Sequence, residues 1–228
     1  MQIGATPQMS SFLGNETAPF LASELLSACL AFAIAYLMLR SFRVLRRDYL
    51  IGFPIGFSFL GLSYLLLGAS YVISSLGDEA SWLQLFIGCY GFAFLGTTYF
   101  LRRRSLAHRL GRMSNWLFSL LVVLAVVAVL IVIVPPVMVL PPHRVADQVF
   151  RITNLGLLAY VLLSMYQILK AKAYELGAVV LAGFVFLAIE QYSLLLWSLD
   201  ASFWSFAFAH LSRLLGLGAI ALEGFHRQ

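Results

Sequence analysis

Three kinds of polar chemistry stand where the sequence otherwise reads as hydrocarbon. The stretch Gly177 to Ser198 carries Glu190, Gln191 and Tyr192, and the stretch Ser202 to Leu222 carries His210 and Arg213. A carboxylate, an imidazole and a guanidinium are expensive inside a membrane, so together they define a candidate site with named partners. A histidine near a carboxylate suits a pH- or proton-linked role. The same groups also fit a packing role, in which Glu190 and Arg213 neutralise each other and His210 is hydrogen-bonded. Buried pairs of that kind often add little net stability. Both readings stay open at the level of sequence.

Other chemistries find no support in the pattern. Retinal attachment needs a lysine within the last span, whereas the only lysines are Lys170 and Lys172. Haem ligation across spans needs a second deep histidine, but His108, His143 and His226 fall in loops or at the end. Zinc-binding spacings, a nucleophile elbow and a phosphate-binding loop are missing as well. No cofactor and no metal site is therefore expected. Cys29 and Cys89 lie inside apolar runs and read as small core residues, not as a disulfide.

The elements that must position these groups follow from composition. The chain has 228 residues, 61% hydrophobic and 11% charged. Soluble domains are nearer half apolar and a quarter charged, so the class is a polytopic membrane protein. The apolar runs give seven spans, about 19–39, 49–74, 81–101, 116–134, 147–169, 177–198 and 202–222. The expected fold is all-α, a seven-transmembrane helix bundle. Residues 1–18 form a polar tail and 224–228 a short end. Asn15-Glu16-Thr17 matches the N-glycosylation pattern, which would require that tail to be outside. Gly52 and Gly56 have the spacing that lets helix backbones approach closely, within the bundle or in a dimer. The fourth span is almost pure Leu, Val, Ala and Ile, so it is expected to face lipid.

Charge fixes the expected orientation. Nine arginines and both lysines follow spans one, three and five, while the other loops hold Asp78, Glu79, Asp200 and Arg144. By the positive-inside rule the N-terminus is outside and the C-terminus cytoplasmic. The net charge of +5 then has anionic lipid head groups as its partner, at Arg40, Arg43, Arg46, Arg47, Arg102, Arg103 and Arg104, and no nucleic acid is implied.

Helical rise gives depth. Glu190 lies eight residues from Ser198 and His210 eight from Ser202, so both are expected roughly 12 Å below the outer ends of neighbouring antiparallel helices. Arg213 is one turn deeper on the same face as His210. The stripe Gly183, Leu187, Glu190, Leu194 and Trp197 is expected to face Phe206, His210, Arg213 and Leu217. Asn154 and Tyr90 reach a similar depth, and Gln191 adjoins them. Glu24 and Arg151 are expected above the cluster, nearer water.

The layout resembles the membrane-embedded sensor modules attached to bacterial signalling enzymes, and Ala209-His210-Leu-Ser-Arg213-Leu-Leu-Gly216 is similar to the last span of some of them. The likeness carries no residue roles across. Such modules feed an output domain, whereas this sequence stops five residues past the membrane domain, at 224–228. The expected function is a non-enzymatic integral membrane protein, a sensor/receptor-like module or an accessory subunit. It would act through a protein partner or as a homo-oligomer, with the basic loops as contact surface. The alternative is a membrane enzyme or small-molecule carrier using Glu190, His210 and Arg213.

Overall fold

In a bilayer every backbone polar group must be satisfied within its own segment, which favours helices in sequence this apolar. The computed structural model describes residues 17–45, 48–72, 77–104, 143–172 and 177–226, and these are helical almost throughout. The helices are α1 (Thr17–Leu45), α2 (Gly52–Val72), α3 (Gly77–Arg104), α4 (His143–Lys172), α5 (Gly177–Asp200) and α6 (Phe203–His226), with a short 3-10 turn, Asp48–Ile51, before α2. All six are long and apolar enough to cross a membrane, as expected of a multi-pass membrane protein. The shortest, α2, has 21 residues, about 31 Å at the helical rise. The expected span over Trp116–Val134 lies outside the described residues, as do Asn15, Arg46 and Arg47.

Several helices overrun their expected bounds. α1 continues past Leu39 through Arg40 and Arg43, whose exposed heads can stay in the interface while the backbone remains hydrogen-bonded. α3 starts at Gly77, so Asp78 and Glu79 fall in its first turn and not in a loop.

Neighbouring helices pack in chain order, and a contact between α1 and α6 closes them into a ring. Side-chain register gives the directions. Gly61 meets Phe32 and Gly68 meets Glu24, so α1 and α2 are antiparallel. Gly56 meets Gly91 and Leu95 while Ser63 meets Gly88, so α2 and α3 are antiparallel too. In contrast, Trp82 faces His143, Phe86 faces Phe150 and Gly96 faces Leu157, so α3 and α4 run parallel. Arg104 and His143 therefore lie at opposite ends of the bundle. α1 and α6 are also parallel, with Phe20 beside Phe206 and Leu37 beside Gly224.

One end of the ring thus carries the start of α1 and the α5–α6 turn. The other carries Arg40, Arg43, the Arg102–Arg104 run, Lys170 and Lys172. Towards this basic end the interior is apolar, filled by Phe57, Leu60, Leu95, Leu158, Phe184, Leu187, Leu217 and Ile220. Glycines make the contacts close there: a Cβ on Gly183 would stand 2.9 Å from the Gly216 carbonyl, and one on Gly56 2.9 Å from that of Gly91. The Gly56 face is therefore used inside the bundle. Cys29 and Cys89 are both free; Cys29 is exposed on the outer face of α1, so it is not a core residue.

Candidate functional site

The half of the ring nearer the α5–α6 turn is built differently. Arg213 stands at its centre, almost wholly buried. Its Nη2 donates to Glu24 Oε1 at 2.6 Å and to His210 Nδ1 at 2.6 Å, and its Nη1 lies 3.6 Å from Glu190 Oε1. The guanidinium carbon sits 4.5 Å from the centre of the Tyr64 ring, a cation–π contact that binds α6 to α2. Three helices thus supply partners to one cation: α1 through Glu24, α5 through Glu190 and α2 through Tyr64.

The helical repeat explains why α6 can do this. His210 and Arg213 are three residues apart and share one face. Leu217 continues that face into the apolar half, and Phe206 continues it towards the turn. Across from them Glu190 sits between Leu187 and Leu194, and the Trp197 and Phe206 rings meet at 5.0 Å. The two stripes expected to face each other do so in the fold.

His210 is set by its neighbours. A guanidinium is always a donor, so the 2.6 Å approach to Nδ1 makes that nitrogen an acceptor and places the ring proton on Nε2. The Ser23 hydroxyl lies 3.0 Å from the same nitrogen and Glu24 Oε1 3.4 Å from it. Phe20 and Phe206 cover the imidazole, with ring centres 5.2 Å and 4.5 Å away. These aromatics form a roof on the α1–α6 side.

A second layer lies on α4 and α5. Arg151 donates to Asp147 at 3.1 Å and to Gln191 Oε1 at 3.3 Å, and Asn154 Nδ2 donates to the same Gln191 oxygen at 3.1 Å. Gln191 therefore couples the polar side of α4 to the helix that carries Glu190. On the α2–α3 side the Ser63 hydroxyl donates to the Gln84 carbonyl at 3.0 Å.

These groups line a small, partly open cavity of about 30 Å³, bordered by Glu24, Tyr64, Arg151, Asn154, Glu190, Gln191, His210 and Arg213. A water needs roughly 10–15 Å³ by such a measure, so the space suits about two. The chemistry of the walls points the same way. Glu24 Oε2, Tyr64 Oη, Asn154 Oδ1, Glu190 Oε2, His210 Nε2 and Arg213 Nε are buried without a protein partner. Buried polar atoms are seldom left unpaired, and each costs about 1–3 kcal/mol unless something else meets it. Six on one cavity wall mark a site that the protein alone does not satisfy.

Of the residues expected at the site, Glu190, His210, Arg213, Asn154 and Gln191 come together here. Tyr90 does not: it packs against Phe94, in the cluster that also takes in Ile51 and Phe59. Glu24 and Arg151 were both expected nearer water; the fold corrects this for Glu24, while Arg151 keeps about a tenth of its side chain exposed. Glu24 is fully buried and is the closest carboxylate to Arg213; Arg151 is buried between Asp147 and Gln191. α1 starts two residues earlier than expected, which sets Glu24 deeper. Glu24 is seven residues beyond Thr17 and His210 seven beyond Phe203, on parallel neighbouring helices. Tyr64 carried no such signal, since one tyrosine among ten in an apolar chain is unremarkable until a cation lies over it. Among the described residues no group of His, Cys, Asp and Glu is arranged to hold a metal ion. No protein-family model matches the chain, and no curated protein matches it either.

Proposed function

We propose that this chain is a sensor/receptor-like module, or an accessory subunit, of the cell membrane that acts through a protein partner. The observation that carries the reading is the buried Glu24–Arg213–Glu190 cluster with its unpartnered atoms at one end of a bundle whose other end is apolar inside and basic outside. A ligand or ion meeting those atoms would change what α1, α5 and α6 gain from one another. All three helices reach the basic end, where Arg40 and Arg43 are exposed and α3 closes on the Arg102–Arg104 run, a basic sequence that suits a partner or anionic head groups.

The proposed topology has seven spans, with the N-terminus outside and the basic end cytoplasmic. The parallel course of α3 and α4 supports it, since a chain leaving Arg104 has to regain the far end of the bundle at His143, and the apolar Trp116–Val134 run is long enough to cross. A carrier or membrane enzyme remains the second reading, favoured by the cluster of unsatisfied groups. The apolar filling below the cavity and the cavity's small volume weigh against movement of an organic molecule.

The test is affinity purification in a gentle detergent followed by mass spectrometry. The expected result is a stoichiometric protein partner that is lost when Arg40, Arg43 and Arg102–Arg104 are replaced by Gln. Isolation of the chain alone, with and without cross-linking in the membrane, overturns the partner reading. Cysteine labelling at Asp78 or Glu79 from the cytoplasmic side would overturn the orientation.

A further inference from the structure

We propose that the cavity above the apolar filling binds one small monovalent cation, a proton or Na⁺, between the free carboxylate oxygens of Glu24 and Glu190. The site goes beyond the sensor reading and requires no partner.

Charge is the first ground. Among the described residues, the ionisable groups turned towards this region are Glu24 on α1, Tyr64 and Tyr71 on α2, Asp147 and Arg151 on α4, Glu190 on α5, and His210 and Arg213 on α6; α3 contributes the neutral Gln84. Three carboxylates therefore face two guanidiniums. His210 does not make up the difference, because Nδ1 accepts from Arg213 and a protonated ring would set two donors against each other. One negative charge is left over in a region of low dielectric, where an unoffset charge costs several kcal/mol.

The free atoms give the second ground. Arg213 occupies Oε1 of both glutamates, while Oε2 of each is buried without a donor, as is Asn154 Oδ1. These are three hard oxygen acceptors, the kind that a proton or an alkali cation takes. Size is the third. About 30 Å³ holds a bare ion with a water, or a hydronium, whereas Ca²⁺ needs six to eight oxygen ligands and Mg²⁺ keeps several waters. Access is the fourth. The apolar filling closes the path to the basic end, so exchange runs past Asp147 and Arg151, whose side chains keep about a tenth of their surface exposed.

The purified full-length protein in nanodiscs tests this through its thermal unfolding midpoint. In one arm pH varies from about 5 to about 8.5 with choline as the only monovalent salt cation; in the other NaCl replaces choline chloride at about pH 8.5. A bound proton means that the folded state holds one more proton than the unfolded chain, so Tm falls as pH rises, by about 3–5 °C per pH unit. A Na⁺ site instead gives a Tm that rises with NaCl at fixed pH. Glu190→Gln imitates the neutralised carboxyl, and it is expected to raise Tm at high pH and to remove whichever dependence the wild type shows. Glu24→Gln serves as the second variant should the first not assemble. A wild-type Tm flat in both arms overturns the site, as does a dependence that both variants retain.

Discussion

The two halves of the α5–α6 hairpin solve one packing problem in opposite ways. Near the basic end Gly183 and Gly216 bring the backbones together, and Ile220 and Leu187 close over them. Nearer the turn the same two helices are joined by Glu190 and Arg213 at 3.6 Å. Lipid tails are as apolar as leucine, so helix association in a bilayer relies on close contact and on polar bonds. The glycine half uses close contact. The polar half is over-supplied: one guanidinium serves two carboxylates and an imidazole, and six atoms have no protein partner. The second solution is the part of the bundle to which the proposed ligand site is assigned.

The largest effect is expected where the polar half loses its central cation. Arg213→Leu strands Glu24 and Glu190, and breaking a buried pair from one side costs about 3–5 kcal/mol. Size-exclusion of a fluorescent fusion should show little monodisperse protein, and adding Glu24→Gln and Glu190→Gln to the same chain should restore a share of it. If Arg213→Leu alone assembles normally, the polar half contributes no more than packing.

The glycine half should respond less, and by position. A methyl on Gly216 would approach the Gly183 carbonyl to 2.8 Å, so Gly216→Ala must push two backbones apart, at about 1–3 kcal/mol. Gly218, two residues along the same helix, has open space beside it, and Gly218→Ala should be neutral or stabilising by up to about 1 kcal/mol. Thermal midpoints of the two variants should differ in sign relative to wild type. Equal values would remove the contrast drawn between the halves.

The smallest effect lies at the turn joining them. Ala201 adopts φ 51° and its N–H bonds the Trp197 carbonyl at 2.8 Å, a left-handed helix cap, while Arg144 donates to the Ser198 and Leu199 carbonyls. Glycine takes that conformation without the Cβ clash, so Ala201→Gly should stabilise by about 0.5–1 kcal/mol. Arg144→Ala should act in the opposite direction, and both can be read from the thermal midpoint.

Much of this was legible because a membrane limits what sequence can mean. Apolar runs long enough to cross had to be helices, and the positions of Arg and Lys separated the two ends. The pairing of α5 with α6 followed from a connection too short for anything else, and three-residue spacing put His210 and Arg213 on one face. Glu24 escaped because its partner is 189 positions away in the sequence, and no local pattern announces that the first helix closes on the last. Tyr90 was misjudged for the complementary reason: depth alone does not give the face of a helix, and its ring turns towards Phe94.

By itself, then, the sequence determined the all-helical membrane class and the shared depth of Glu190 and His210, because hydropathy and a fixed rise per residue act locally. The tertiary structure decided which of those side chains share one cavity. Closure of the ring brings α1 against α6 and α2 beneath Arg213, and only there does the Glu190, His210 and Arg213 group become a cluster with a surplus carboxylate and atoms still to be met. That choice is made by packing between distant segments, where the energy of a buried charge depends on every neighbour at once.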